Sequence, residues 1–357
     1  MTNQSKKADL CLSSIVEPLL VWFADNKRSL PWRDDPTPYH VWQSEIMLQQ
    51  TRIEAVLPYY HRFLAVCPTV EALACVEDEG LMKLWEGLGY YSRARNLKKA
   101  AAEIVAAHGG ELPCDYNALR ALPGIGAYTA GAIASIAYGL PEPAVDGNVL
   151  RVITRLSGDR SDIAKEATKK AVTAALREIY PVGKDAADLT QGLMELGQRV
   201  CIPNGEPHCK ECPLSIFCRA RAMNATDVIP VKSQKKPRRI EQRNVLLLIC
   251  DNKIALRKRE ASGLLAGLWE FPNEESADEA QVQAFLREHG IAALSLGRDI
   301  AATHIFTHIE WHMQGYVVVC AQQSEHFVWA TSEQLAGEYA VPSAYRAYVK
   351  RALTLLA

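Results

Sequence analysis

The sequence predicts a multidomain protein, an all-α domain followed by an α+β domain, and three observations carry that reading. Its 357 residues exceed what one core usually organises, since domains of roughly 100 to 200 residues are the norm. From residue 8 to about residue 225, Ala, Leu and Glu recur at spacings of three and four, clearly so in 71–85, 94–107 and 163–179, which is helical periodicity. Past a polar, basic stretch holding Pro230 and Pro237, the pattern changes to short β-branched or apolar runs: Val245 to Cys250, Ile254 to Leu256, and Tyr316 to Cys320. Helical character returns at 277–289 and 342–355, so the second domain is α+β. The division expected is 1–225 for the helical domain, 226–243 for a basic linker and 244–357 for the second domain.

Composition sets bounds. A hydrophobic content of 48% with 23% charged residues is that of a globular chain able to bury substantial cores, and no repeat or low-complexity tract points to a solenoid or to disorder. The polar start Met-Thr-Asn-Gln-Ser-Lys-Lys-Ala-Asp lacks a signal-peptide pattern, and no apolar run is long enough to span a bilayer. A cytosolic protein without membrane contact is expected. The formal net charge of −1 speaks against a generally basic surface, so any nucleic-acid contact has to come from local features. The one dense basic run, Lys232, Lys235, Lys236, Arg238 and Arg239, falls in the linker.

Four of ten cysteines cluster. Cys201, Cys209, Cys212 and Cys218 follow C-x7-C-x2-C-x5-C, compact enough for four thiolates to converge on zinc or on an iron-sulfur cluster, and spacing leaves both open. Lys210, Arg219 and Arg221 surround that loop and offer cations to a phosphate backbone. Cys11, Cys67, Cys75, Cys114, Cys250 and Cys320 lie among apolar neighbours and read as small buried hydrophobes.

A glycine hairpin supplies a second local feature. Leu122-Pro-Gly-Ile-Gly-Ala-Tyr-Thr-Ala130 follows one helical stretch and opens another, with Gly124 and Gly126 where a tight turn needs freedom in φ. Successive N–H groups of such a turn, at a helix start, suit a DNA phosphate without needing net positive charge. The shape expected is helix, hairpin, helix.

The hairpin, then Val145-Asp-Gly-Asn-Val149, then the four cysteines resemble, in order and over about 200 residues, the endonuclease III superfamily of helix-hairpin-helix DNA glycosylases. Leu30-Pro-Trp-Arg33 and Ser44-Glu-Ile-Met-Leu-Gln-Gln-Thr51 are similar to the adenine DNA glycosylase (MutY) family in particular, and the second domain is similar to that family's Nudix-like domain. The resemblance implies a helical glycosylase domain with a [4Fe-4S] cluster on Cys201, Cys209, Cys212 and Cys218. It also implies base excision repair: hydrolysis of the N-glycosidic bond of adenine mispaired with 8-oxoguanine or guanine in duplex DNA, by a monomer working on the bacterial nucleoid. Two departures stand out. The first cysteine gap is seven residues where the family has six, and Leu150 stands where some relatives carry lysine.

Removing adenine requires protonating a poor leaving group and stabilising positive charge on the sugar, the division of labour that paired carboxylates perform in glycosidases. Glu45, among Trp42, Ile46, Met47 and Leu48, should be desolvated, keep its proton near neutrality and act as general acid. Asp146, at the start of an apparent helix, should stay ionised and face the sugar. By resemblance, Tyr128 and Asn148 orient these two groups, while Arg33, Leu48 and Glu195 surround the flipped base. Gln50 and Thr51 in one loop, and Leu88 and Tyr90 in another, match minor-groove wedges that offset unstacking.

Tyr128 also stands where bifunctional relatives carry a Schiff-base lysine, which predicts base removal without an efficient lyase step. Phe306-Thr-His308 resembles the loop that reads oxidised guanine. The stretch Ala284 to Gly290 offers only Glu288 where a Nudix hydrolase needs a glutamate cluster, so the second domain is expected to bind and not to hydrolyse. The competing readings are an endonuclease III-like glycosylase/lyase on damaged pyrimidines, opposed by Tyr128, and a metal-stabilised DNA-binding protein without catalysis, opposed by Glu45 with Asp146. A Nudix-type nucleotide hydrolase is opposed by the missing glutamates.

Overall fold

The computed structural model describes residues 12–233, 237–276 and 278–357. Two compact units emerge. One holds the described residues up to Val56, Cys67–Ala74 and those from Asn96 to Ser233; the other holds Leu57–Val66, Cys75–Arg95 and the described residues from Pro237 onward.

The first unit is helical. Its buried centre comes from Val16–Asn26, Gly147–Ser157 and Lys184–Arg199, with Leu19, Val149, Ile153, Leu189 and Leu193 sealed from solvent. Every residue from Val149 to Leu156 is buried, so this helix runs through the core instead of lying along its surface. Asp146 caps its start by accepting the Val149 N–H, and Gly158, left-handed at φ 67°, ends it. Pro38–Leu48 is likewise buried from Val41 to Met47 and is capped by Thr37. The stretch 163–179 contains the helix Glu166–Arg177.

The second unit carries the sheet. Strands β1 (Arg239–Cys250), β2 (Lys253–Lys258), β3 (Trp269–Glu270), β4 (Asn273–Glu274), β5 (Ala293–Ile305), β6 (Ile309–Cys320) and β7 (Val328–Ala330) are arranged in the order β3-β2-β1-β6-β5, with β4 on β1 and β7 on β2. The β1–β6 pair is parallel and the other pairs are antiparallel. Alternation along β1 explains its apolar run. Val245 and Leu247 enter a core shared with Tyr345 and Tyr348, whereas Leu246 and Leu248 face Val282, Phe285 and Leu286 of the helix Glu279–Glu288. The helix Arg346–Leu355 accounts for the C-terminal periodicity.

Several sequence expectations shift. The stretch 71–85 is two helices, Val70–Cys75 and Asp78–Leu84, separated where Glu77 takes an extended backbone. β1 begins at Arg239, inside the stretch read as linker, because main-chain pairing from Arg239 with Ile309 onward carries a polar strand end that side-chain patterning hides. Lys235 and Lys236 lie outside the described residues. Cys67, Cys250 and Cys320 are buried as expected; Cys75 and Cys114 are exposed, and Cys11 lies outside the described residues. Among the described residues no helix is long and apolar enough to cross a membrane.

Candidate active site

One cavity of about 650 Å³ in the helical unit gathers Glu45, Leu48, Gln50, Thr51, Arg33, Tyr128, Asp146 and Asn148, residues drawn from four separate sequence motifs. Glu45 is only 6% exposed. Burial pushes its carboxyl up to about 7; the Tyr128 hydroxyl pulls in the other direction, Asp146 nearby adds to the rise, and Arg33 opposes it. Tyr128 donates to Glu45 Oε2 at 2.6 Å. The phenol is itself held well above its ordinary range by burial and by the two carboxyls, so it remains a donor at any working pH.

Asp146 is held from several sides. Its Oδ1 accepts the Val149 N–H at 2.8 Å and its Oδ2 accepts Asn148 Nδ2 at 2.7 Å. Arg151 donates to Asn148 Oδ1 at 2.8 Å, to the Cys201 carbonyl at 2.7 Å and to the Gly197 carbonyl at 2.6 Å. Gly197 lies so close that a Cβ there would stand 2.6 Å from the Cβ of Asn148. The helix N-terminus does not depress the carboxyl overall: burial lifts Asp146 above its usual value, and the Val149 and Asn148 donors and Arg151 limit the rise. Periodicity locates the cap but not the depth of the helix start, which is why the sequence suggested a lower value.

A second charge network borders the cavity. Glu195 is fully buried and accepts Arg28 at 2.5 and 3.0 Å and Arg33 at 2.9 Å. Burial alone would raise this carboxyl, but the two guanidinium groups outweigh it and hold it below the ordinary carboxylate range. Arg33 also donates to Gln191 Oε1 at 2.9 Å. Thus Glu195 supports the cavity wall through Arg33, while Gln191, Met194 and Gln198 of the same helix line it. Gln50 adopts a left-handed φ of 58°, and Gln49 donates to Thr129 at 3.4 Å, tying that loop to the hairpin helix.

In the hairpin, Gly124 has φ 76°, and a Cβ would meet Asn96 at 2.7 Å, so both conformation and space require glycine. Gly126 differs from expectation. It precedes the helix Ala127–Ala132 with φ −85°, an ordinary conformation, and open space lies where a Cβ would be; its lack of a side chain leaves room for a close approach instead of supplying a turn.

Leu88, Tyr90 and the 306–308 segment belong to the other unit. Gly87, Gly89 and Tyr90 all have positive φ, and the buried Arg93 donates to the Leu88 and Gly89 carbonyls at 3.1 and 3.0 Å. Its guanidinium stacks on Trp85 and Tyr90 at 5.3 and 5.6 Å, and Trp85 Nε1 donates to the Gly89 carbonyl. Leu88 is only 7% exposed, so of the two wedge residues expected in this loop Tyr90, at 45%, is the one presented to solvent. Phe306–His308 forms the turn joining β5 to β6, closed by the Phe306 N–H to the Ile309 carbonyl at 2.8 Å. Phe306 packs against Trp311, which commits its ring to the core; Thr307 and His308 are exposed, and Thr307 lies 3.1 Å from the Tyr90 hydroxyl.

Cys201, Cys209, Cys212 and Cys218 face one small cavity walled by Val152, Leu156, Leu196 and Leu214. Among the described residues no three His, Cys, Asp or Glu side chains gather closely enough to hold a single ion. Arg155 is buried and donates to Cys201 Sγ at 3.3 Å and to the Ile202 and Ile229 carbonyls. Sequence reasoning missed Arg28, Arg151, Arg155 and Gln191. Arg151 and Arg155 left a trace: charged residues four apart in Val149 to Leu156, a stretch otherwise apolar enough to be core.

Comparison with known proteins agrees with this geometry. The family described as HhH-GPD superfamily base excision DNA repair protein matches residues 43–181, and the NUDIX domain matches residues 244–351. Adenine DNA glycosylase of Buchnera aphidicola subsp. Acyrthosiphon pisum is 31% identical, over 87% of this chain and 87% of its own length. The human protein of that name is 34% identical over 84% of this chain, which spans 65% of the human protein's length. Among solved structures, a thermostable thymine-DNA glycosylase superposes with a TM-score of 0.54 at 28% identity, covering 59% of this chain and 96% of that one. An endonuclease III in non-covalent complex with DNA gives 0.52 at 26% identity, covering 61% and 98%. Motif order, cavity and relatives converge: the chain belongs to the adenine DNA glycosylase family of base excision repair enzymes, with a helix-hairpin-helix glycosylase domain and a Nudix-like domain.

Proposed function

We propose that this chain hydrolyses the N-glycosidic bond of adenine mispaired with 8-oxoguanine, or with guanine, in duplex DNA, and does so without efficient strand cleavage. The observation that carries the reading is the Glu45–Tyr128 pair, a buried carboxyl raised to about 7 beside a permanent donor and next to a second carboxyl. At neutral pH a large fraction of Glu45 holds its proton and can pass it to a ring nitrogen of adenine as the bond from the sugar lengthens. Asp146, fixed by Asn148 and the Val149 N–H, opposes the positive charge that develops at C1′. Adenine departs with the donated proton, water forms the new bond to C1′, and the proton that water loses returns to the Glu45 carboxylate and restores the acid. Arg33, Leu48, Gln191 and Met194 wall the cavity in which the extruded base would lie. Tyr128 has no amine to form an imine, which supports a glycosylase without lyase chemistry.

Cys201, Cys209, Cys212 and Cys218 suit a [4Fe-4S] cluster. Their thiols face a shared apolar cavity, and the Arg155 donor matches the hydrogen bonding that cluster-bound sulfur receives. Such a cluster would fix the loop from Cys201 to Cys218. The partner inferred is duplex DNA with the mispair, bound by a monomer in the cytosol at the bacterial nucleoid, with Thr307 and His308 contacting the oxidised guanine.

The test incubates the protein with duplexes carrying adenine opposite 8-oxoguanine and compares alkali-dependent with direct strand breakage for the wild type and Glu45→Gln. Alkali-dependent breaks from the wild type alone are expected. Adenine left in place by iron-loaded wild type would refute the reading, and a broad absorption band near roughly 400 nm distinguishes iron from zinc.

A further inference from the structure

The base cavity has a neighbour. A groove of about 1150 Å³ shares Tyr128 and Asp146 with it and extends the other way, past Gly147 and Leu150, to Arg120, Lys169, Lys170 and Lys232. Glu45 lines only the first cavity and the lysines only the second. Tyr128 and Asp146 therefore stand at the junction of the two spaces, and the second carries cations along its rim.

The rim is built. The helix Glu166–Arg177 buries Thr168, Val172 and Leu176, which turns Lys169, Lys170, Thr173 and Arg177 toward the groove at spacings of three and four. Lys232 comes from the basic run that sequence reading left as linker, yet its position is fixed. Ile163 donates to the Val231 carbonyl at 3.0 Å, the Ser233 N–H donates to Asp162 Oδ1 at 3.2 Å, and the Ser233 hydroxyl donates to Asp162 Oδ2. These bonds on both sides of Lys232 make it part of the groove wall and not a tethered charge.

The charges are also available. Arg177 is taken by Glu142 at 2.6 Å, and Lys169 has Glu166 at 3.7 Å; among the described residues no carboxylate pairs with Lys170 or Lys232. In a chain with a formal net charge of −1, this local cationic rim, which Glu142 and Glu166 only partly offset, suits a polyanionic ligand.

We propose that this groove seats the sugar-phosphate backbone of the strand whose base is extruded, with Lys169, Lys170 and Lys232 on successive phosphates. The inference rests on the glycosylase reading above. If the base enters the Glu45 cavity and its C1′ stops at Asp146, the phosphates on that sugar have to continue along the space on the other side of Asp146. The groove is the cationic space that begins there.

Counterion release gives the test. Each phosphate contact contributes about 0.9 to the slope of log affinity against log salt, so removing three reduces the slope by about 2.7. The full-length, iron-loaded protein is titrated with a duplex holding 2′-fluorinated adenosine opposite 8-oxoguanine, which binds without being cleaved. Between 50 and 200 mM salt, wild type should lose about 40-fold more affinity than the variant carrying Lys169→Gln, Lys170→Gln and Lys232→Gln. The corresponding triple arginine variant, which keeps the three charges, should keep the wild-type slope. An unchanged slope in the glutamine variant overturns the proposal, as does an equal loss in the arginine variant, which would mark structural damage. Failure of the wild type to release adenine would instead overturn the glycosylase reading.

Discussion

Replacing Glu45 by glutamine should make the protein more stable near neutral pH while slowing its chemistry by orders of magnitude. The unfolded carboxyl titrates near its ordinary 4.5 and the folded one near 7. Between those values the native state keeps a proton that the unfolded chain has released, so stability falls as pH rises from 4.5 to 7 and stays lowered above 7. A shift of that size corresponds to about 3 kcal/mol. Glutamine is nearly isosteric, accepts the same Tyr128 hydroxyl and never ionises, so the variant escapes the loss. For a unit of this size about 3 kcal/mol is roughly 6 to 12 °C in melting midpoint. Paired thermal melts from pH 4 to pH 8.5 would measure it: the variant should melt higher at pH 8 and the two proteins should coincide near pH 4, where both side chains are neutral. Excision should fall by about 10² to 10⁴, the usual contribution of a general acid. Identical midpoints at pH 8, or a gap that persists unchanged at pH 4, would refute the assignment of the stability difference to a buried ionisable carboxyl.

Three further outcomes are expected. Tyr128→Lys puts an amine beside Glu45 and Asp146, and borohydride should then trap a covalent protein–DNA adduct that the wild type does not form; a variant that binds DNA yet gives no adduct would count against the placement of Tyr128 at the sugar. Thr307→Ala with His308→Ala should reduce the preference for adenine opposite 8-oxoguanine over adenine opposite guanine, measured as the ratio of single-turnover rates, and an unaltered ratio would remove the reading role from this turn. Arg93→Met removes two bonds from a charged donor to the Leu88 and Gly89 carbonyls. It should slow excision about 10- to 100-fold on mispaired duplex but far less when adenine faces an abasic site and is already unpaired; equal losses on both substrates would show that the loop does not assist extrusion.

The architecture was legible where side-chain patterning decides it. The apolar runs of β1 and β6 and the helical periodicity of 94–107 and 163–179 state their own environment, and the ordered motifs around Glu45, Tyr128 and Asp146 converge on one cavity because each begins or ends a helix that the core holds rigidly. Less legible was whatever depends on main-chain pairing or burial depth. The polar start of β1 pairs through its backbone, and β5 is mostly exposed, so neither carries an apolar signature. Leu88 reads as a wedge by position, yet it is buried in a loop whose Leu88 carbonyl accepts a bond from Arg93. The bidentate hold of Arg28 on Glu195 joins residues 167 apart, a separation that no local pattern encodes.

Gly197 draws these threads to a practical point. A glycine inside a helix costs about 0.5 to 1 kcal/mol relative to alanine, and it would be an obvious target for anyone improving helix propensity. Here the absent methyl group works as a spacer gauge: it sets how near the helix Lys184–Arg199 approaches Asn148, and through that amide where the Asp146 carboxyl rests. A substitution chosen to strengthen the helix would press on Asn148 and shift the Asp146 carboxyl by a fraction of an ångström. At this contact a gain in thermal tolerance and a loss in turnover would come from the same added carbon.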